Sequence, residues 1–154
     1  MHKNITKTQI KNLIELAAEK QYGVSASELS NLQLYKCVAR VVRDLLLQKR
    51  ADFNHEHKAR TRKRIHYLSM EFLMGRSLKN NLFNMEMEEL FASVLKKHYK
   101  VDLNNLYEFE PDAGLGNGGL GHLAACYLDC LAKEDFPVMG HSLRFEYGFF
   151  QQKI

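Results

Sequence analysis

The sequence lacks the features that would place it in a membrane or in a secretory pathway. No apolar run reaches the roughly eighteen uncharged residues of a membrane-spanning helix, and the opening MHKNITKTQIKN is too polar for a signal-peptide core. Cysteine is scarce, with only Cys37, Cys126 and Cys130. An odd number of cysteines without a secretory signal argues against a disulfide framework. We therefore expect reduced thiols and a cytoplasmic protein.

Composition is that of an ordinary globular chain. Its 154 residues are 45% apolar and 26% charged, enough for one modest domain with a core. The formal charge of +4 is concentrated in residues 49–64, and the basic run KARTRKR (58–64) within them has no interleaved aromatic residues. This pattern favours a solvated face over a nucleic-acid site. We find no internal repeat, and because the strand pattern is still running at Ile154 we expect the chain to be cut from a longer protein.

Apolar periodicity predicts a mostly helical first half. A capping box from Thr6 to Gln9 and a Gly23 C-cap bound a helix over residues 6–22. A second helix, capped by Ser25 or by Ser30, carries an apolar stripe from Leu34 to Leu46. Two further helices are predicted in GRSLKNNLF (75–83) and over residues 85–98, the latter with Glu86, Glu88 and Glu89 in its first turn.

Strands are fewer. The apolar run at residues 65–69 predicts a buried strand, and the alternation from Leu143 to Phe149 predicts a half-buried one. Between them, residues 120–131 are apolar on nearly every side and predict a buried helix. The fold class is therefore α/β, mostly helical with a few strands.

The glycine-rich stretch PDAGLGNGGLGHLAAC (111–126) is the most unusual feature. It matches the glycine spacing of dinucleotide sites, but no apolar strand leads into it, and no Lys-Ser or Lys-Thr completes a nucleotide P-loop. Two interpretations stay open. Gly118, Gly119 and Leu120 could present backbone N–H groups to an anion at a helix start, or the stretch could be a turn between tightly packed elements.

A metal centre is not expected in the helix that follows. His122, Cys126 and Cys130 recur every four residues, but the first and last stand roughly 12 Å apart along the axis at about 1.5 Å per residue. One zinc ion, with bonds near about 2.3 Å, cannot bridge that distance. We expect small buried cysteines there.

Three segments, taken in this order and spacing, are similar to one family. RIHYLSMEFLMGRSLKNNL, DAGLGNGGLGHLAACYLDCLA and RFEYGFFQQKI resemble the N-terminal part of the α-glucan phosphorylases, which act on glycogen, starch or maltodextrin. The leucine at position 73 resembles the bacterial and plant members of the family, whereas the animal enzymes commonly have tyrosine there. The likeness is specific from about Arg64 onward and looser before it.

This resemblance implies a retaining glycosyltransferase that cleaves α-1,4-glucan ends with inorganic phosphate and releases glucose 1-phosphate. It implies a two-lobed GT-B architecture, in which residues 1–154 form one partial domain. Residues 1–63 would be N-terminal helices with a cap-like dimerisation region, and 64–154 the start of the Rossmann-like N-terminal lobe. Pyridoxal phosphate is the implied cofactor, and because its lysine is expected elsewhere, this chain alone should be inactive.

The resemblance also assigns site residues. Glu71 and Asn117 are implied in the catalytic cleft, and Gly118, Gly119, Leu120 and His122 beside the phosphate groups. His122 stands where the family usually has Arg, which removes a permanent positive charge. The AMP-binding positions of animal enzymes are not matched, so we expect no AMP control. The implied partners are glucan, phosphate and a second copy of the chain, with no nucleic acid and no membrane. The alternative is a non-catalytic dimerisation or regulatory module.

Overall fold

The computed structural model describes residues 5–59 and 63–143. Within these ranges the fold is mixed α/β and mostly helical. The elements in chain order are α1 (Lys7–Tyr22), α2 (Asn31–Ala59), β1 (Ile65–Leu68), β2 (Phe72–Gly75), α3 (Leu78–Asn84), α4 (Glu88–Tyr99), α5 (Leu103–Tyr107), β3 (Ala113–Leu115), α6 (Gly119–Lys133) and β4 (Val138–His141). No helix in the described ranges combines the length and the apolarity needed to cross a membrane.

The chain divides into two compact units. The first, called the helical unit, takes in Met1–Arg50 and Arg76–Pro111. The second, called the strand unit, takes in Ala51–Gly75 and Asp112–Ile154. The proposed family division at residue 63 concerns a larger protein and stays a prediction.

Helix α1 confirms its predicted boundaries. The Thr6 side chain accepts a hydrogen bond from the Gln9 backbone, and the Gln9 side chain accepts one from the Thr6 backbone N–H. Gly23 ends the helix in the left-handed conformation at φ 72°, where its N–H donates to the Glu19 carbonyl. The capping residues therefore set both ends of the helix.

The second predicted cap, at Ser30, is the one that begins α2. Ser30 and Gln33 form a capping box, whereas Ser25 begins a short 3₁₀ turn at Ala26–Glu28. The predicted stripe then faces the core, with its first five members buried: Leu34, Cys37, Val38, Val41 and Val42.

Helix α4 completes the core of the helical unit. Phe91, Val94 and Leu95 are buried. The helix begins at Glu88 rather than at residue 85, because Glu86 adopts a left-handed backbone at φ 57° and cannot belong to the first turn. The sequence analysis also missed α5, a helix of 5 residues that the Asp102 side chain caps.

Glutamates tie the helical unit together at two points. Glu110 accepts hydrogen bonds from the Ser77 N–H, the Ser77 hydroxyl and the Leu78 N–H, and so caps the predicted short helix, which begins at Leu78. Glu15 accepts bonds from the Ala26 N–H and the Tyr99 hydroxyl. These carboxylates satisfy backbone and phenol donors that the helix ladders leave unpaired.

Glu15 and Tyr99 influence each other's ionisation. Burial alone would raise the pKa of Glu15, but hydrogen bonds from Ala26, Tyr99 and Ser25 outweigh it, so the pKa lies below its usual value. Burial, and the hydrogen bond to Glu15, raise the pKa of Tyr99 well above its usual value. At neutral pH the pair is a carboxylate that accepts from a neutral phenol.

The strand unit contains two small sheets. Strand β1 pairs in parallel with β4, from Ile65 opposite Val138 to Leu68 opposite His141. Strand β2 pairs antiparallel with β3. The prediction that residues 65–69 form a buried strand is wrong on burial, because β1 alternates between half-buried and exposed residues and Leu68 is 76% exposed.

Strands β2 and β3 were not predicted, since four and three residues are too short to show alternation. The half-buried strand expected from Leu143 to Phe149 lies almost wholly outside the described residues.

Helix α6 is less buried than its sequence predicted. Its buried residues are Gly121, Ala124 and Ala125, whereas Leu120, Leu123 and Tyr127 are about half exposed. Among the described elements, β2 and β4 pack against the helix, so its apolar side chains exceed what the described residues cover. The expectation of buried cysteines is also wrong for α6, because Cys126 and Cys130 are exposed; only Cys37 is buried among these three free thiols.

Candidate functional site

The glycine-rich stretch runs from β3 into the first turn of α6. Gly116 lies between them with a backbone φ of 118°, which residues other than glycine rarely adopt. Gly118 is the N-cap, and Gly119 and Leu120 open the helix. The loop therefore connects β3 to α6, and at Gly118 and Gly119 no neighbouring atom covers the backbone.

Glu71 lies against this loop from the strand side. Its Oε2 accepts a hydrogen bond from the Gly121 N–H at 3.2 Å. A carboxylate at this place satisfies one of the free N–H groups of the first helical turn and suits the positive end of the helix dipole. The resemblance implies a place for Glu71 in the catalytic cleft, and the hydrogen-bond partner of its carboxylate in this structure is a backbone amide.

Ser69 fixes the backbone that carries Glu71. The Ser69 hydroxyl donates to the Glu71 carbonyl at 2.8 Å and lies 3.3 Å from the Glu71 N–H, which donates back to it. This pair of bonds defines the turn from β1 into β2. The sequence analysis overlooked Ser69, although a serine two residues before a turn glutamate is a recognisable signal of such a turn.

The glycines of the stretch fall into two groups. At Gly116 an added Cβ would lie 2.5 Å from the Glu71 side chain, and at Gly121 it would lie 2.9 Å from Leu73. Gly118 and Gly119 have no such neighbour within 4 Å. Close packing thus requires glycine at Gly116 and Gly121, whereas an added Cβ at Gly114 would lie 3.3 Å from Leu73 and one at Gly118 or Gly119 would meet open space.

The two interpretations of the stretch concern different residues, and the anion-site interpretation stays a prediction. Gly116 and Gly121 fit the tight-turn interpretation, because a side chain there would displace Glu71 or Leu73. Gly118 and Gly119 have the open backbone that an anion needs in order to approach. Since the Gly121 N–H already donates to Glu71, the remaining N–H donors of the first turn are those of Gly118, Gly119 and Leu120. The next N–H group, that of His122, donates to the Gly118 carbonyl.

Asn117 and His122 flank these donors. Asn117 lies in the bend before the N-cap and is exposed. His122 is exposed as well, and its Nε2 lies 3.7 Å from the Cys126 sulfur one turn further along α6. The structure thus brings Glu71 and the loop from Asn117 to His122 together within the strand unit.

No set of three or more potential metal ligands gathers anywhere in residues 5–59 and 63–143. In particular, Cys130 does not join His122 and Cys126 in such a set.

Comparison with known proteins now identifies the family. The sequence profile of the carbohydrate phosphorylases matches residues 96–154. The glycogen phosphorylase of Chlamydia trachomatis is 38% identical over 157 aligned positions that include 100% of this chain. The chain belongs to the carbohydrate phosphorylase family. The glycogen phosphorylase of Bacillus subtilis is 36% identical over 97% of the chain, and the H-isozyme α-glucan phosphorylase of Vicia faba is 44% identical over 79%.

The chain spans only a small part of these phosphorylases. The matched region is 19% of the Chlamydia trachomatis protein, 18% of the Bacillus subtilis protein and 14% of the Vicia faba protein. The resemblance stated from the three sequence segments is therefore confirmed at the level of the family.

Proposed function

We propose that this chain is the N-terminal part of an α-glucan phosphorylase that splits α-1,4-glucan ends with inorganic phosphate, retaining configuration in glucose 1-phosphate. In this proposal the strand unit belongs to the Rossmann-like lobe of a GT-B enzyme in the cytoplasm. The supporting observation is the loop from Gly116 to Gly121, in which an open, amide-lined helix start is braced by Glu71. The match to phosphorylases supports the substrate class.

The residues present fit a phosphate group. Where a side chain at Gly118 or Gly119 would stand, there is open space, and the adjoining amides of Gly119 and Leu120 point along the positive end of α6. Pyridoxal phosphate, when bound in such an enzyme, supplies a phosphate group that can give and take a proton. Gly118, Gly119 and Leu120 would hold phosphate oxygens, with His122 beside them.

Each remaining residue has a defined task in this proposal. Glu71 fixes the loop by accepting the Gly121 amide, so the donors of Gly119 and Leu120 stay directed outward. Asn117, exposed in the bend, would hydrogen-bond a sugar hydroxyl. No residue of this chain is proposed to carry the cofactor, and the chain by itself is proposed to be inactive.

Extension of the reading frame provides the test. The protein encoded by the full frame, saturated with pyridoxal phosphate, should convert maltooligosaccharide and phosphate to glucose 1-phosphate. Complete absence of product under these conditions would refute the proposal. Within that protein, Gly119→Ala should raise the KM for phosphate while leaving the melting temperature unchanged, because the methyl group would occupy open space and not displace a neighbour.

Self-association is the partner interaction that the structure favours. Leu120, Leu123 and Tyr127 of α6 are about half exposed, as are other apolar side chains of the strand unit. A second copy of the chain would cover such a surface. Sedimentation of the isolated chain at micromolar concentration should show dimers or larger species, and a compact monomer would contradict this part of the proposal.

A further inference from the structure

The β1–β4 pair carries two histidines on one exposed face. Side chains alternate along a strand, and the register places His66 opposite Met139 and Leu68 opposite His141. His66, Leu68, Met139 and His141 therefore share a face, and all four are exposed. Residues on the opposite face, such as Ile65, are partly buried.

The two imidazoles are in direct contact. The Nδ1 of His66 lies 2.8 Å from the Nε2 of His141, and the ring centroids are 5.1 Å apart. At this distance one ring donates its N–H and the other accepts it, so the two facing nitrogens share one proton. If the shared proton moves to the far nitrogen of its ring, both facing nitrogens can bind a metal while both rings stay neutral.

The 2.8 Å separation is the length of the hydrogen bond between the two rings. A bound ion would replace the shared proton, and the two exposed rings would turn so that both nitrogens face the ion. Imidazole nitrogen is a good ligand for divalent ions such as Ni²⁺ and Cu²⁺.

We propose that His66 and His141 form a two-imidazole site for a divalent transition-metal ion such as Ni²⁺ or Cu²⁺. The two rings come from strands that are distant in sequence, so a bound ion would cross-link β1 to β4. Because no third His, Cys, Asp or Glu joins them among the described residues, water molecules would complete the coordination. Exposure of both rings gives the ion direct access from solvent.

Ni²⁺ alone is the probe of choice, because the exposed thiols of Cys126 and Cys130 would reduce Cu²⁺. Isothermal titration of the whole chain should give one Ni²⁺ per chain at this site. His66→Gln and His141→Gln should each weaken that binding by about 10²-fold, since the second of two ligands then no longer binds intramolecularly. His98→Gln, an exposed histidine of the helical unit, is the matched control and should leave the affinity unchanged.

A second arm tests the nearest competing pair. If His122→Gln abolishes Ni²⁺ binding while His66→Gln and His141→Gln do not, the ion is bound beside Cys126 and the proposal is overturned.

A measurement on the unmodified chain avoids any effect of substitution on folding. Paramagnetic Ni²⁺ at substoichiometric concentration should broaden the imidazole C–H resonances of His66 and His141 before those of the other histidines. Broadening of all the histidines at equal Ni²⁺ concentration would refute the site.

Discussion

The two compact units use apolar residues in different ways. In the helical unit, eighteen apolar side chains from α1, α2, α3, α4, α5 and the turn at Ala26 form one buried cluster. In the strand unit, the buried apolar residues among those described are Ala124 and Ala125, while large side chains such as Leu123 stay about half exposed. Apolar residues therefore form a packed core in the helical unit, whereas in the strand unit many of them lie on an exposed apolar surface.

The strand unit is ordered by close contacts of another kind. Burial contributes little to the stability of this unit. Its backbone is fixed by the pairing in two small sheets, by the hydrogen bond from Gly121 to Glu71 and by close glycine contacts with Leu73. We expect substitutions in the helical unit to act through lost burial, and those in the strand unit to act through steric fit. Two predictions test this difference, and two smaller ones concern polar contacts of the helical unit.

The largest effect is expected from the core of the helical unit. Phe91 is 0% exposed, so Phe91→Ala should lower the free energy of unfolding by about 3–5 kcal/mol. Phe136 of the strand unit is 50% exposed, and Phe136→Ala should change it by less than about 1 kcal/mol. Urea denaturation followed by circular dichroism measures both. Equal losses would show that the two regions do not differ in this way.

Steric fit in the strand unit is tested by two glycines of the same loop. Gly116→Ala combines a left-handed φ with a methyl group 2.5 Å from the Glu71 side chain, and should cost about 1–3 kcal/mol. Gly119→Ala meets no neighbour within 4 Å and should stay within about 0.5 kcal/mol of the parent. Thermal denaturation of the two variants side by side checks the contrast. If both glycines tolerate alanine equally, the packing assigned to Gly116 is wrong.

Helix capping in the helical unit should have a smaller effect. Glu110→Ala removes the acceptor of the Ser77 and Leu78 N–H groups, and the loss of such a cap costs about 0.5–2 kcal/mol. Glu108→Ala breaks a solvent-exposed ion pair with Arg76, worth about 0–1 kcal/mol at most. The urea midpoint should decrease more for Glu110→Ala than for Glu108→Ala. A larger decrease for Glu108→Ala would contradict the capping role of Glu110.

The smallest effect concerns pH. Because the folded state lowers the pKa of Glu15, this carboxylate contributes stability that is present above its unfolded pKa and is lost as the pH falls through the folded value. Glu15→Gln should therefore be less stable than the parent at pH 7, and the difference should shrink on acidification. Melting temperatures from pH 7 to pH 3 measure this, with Glu19→Gln, an exposed neighbour on α1, as the control. A stability difference between Glu15→Gln and the parent that stays constant across this range would exclude the ionisation of Glu15 as its cause.

Sequence reasoning succeeded where the signal is local. The capping box at Thr6, the αL glycine at position 23 and the stripe beginning at Leu34 depend on neighbours within a few positions, and the structure confirms all three. The family was also recognisable, because its three segments keep their order and spacing.

It failed where the outcome depends on distant partners. Burial of α6 was overestimated because apolar residues do not reveal how much of a helix other elements cover. Strands β2 and β3 exist through their pairing with each other across forty positions, which no short pattern shows. At the site, glycine spacing located the loop, but the contact between Glu71 and Gly121 joins residues 50 positions apart and could not be derived from it. The roles of Glu71, Asn117 and the loop amides stay predictions.

The parallel pairing of β1 with β4 has a consequence for how the chain is made. Ile65 is opposite Val138, a separation of 73 positions obtained from the two residue numbers. At about 5–20 residues per second, a ribosome would release β4 roughly 4–15 s after β1. During that interval the helices of residues 78–107 can form from local contacts, while β1 waits with unpaired backbone groups. Nascent-chain aggregation should therefore be most pronounced after β1 has left the ribosome and before β4 has done so.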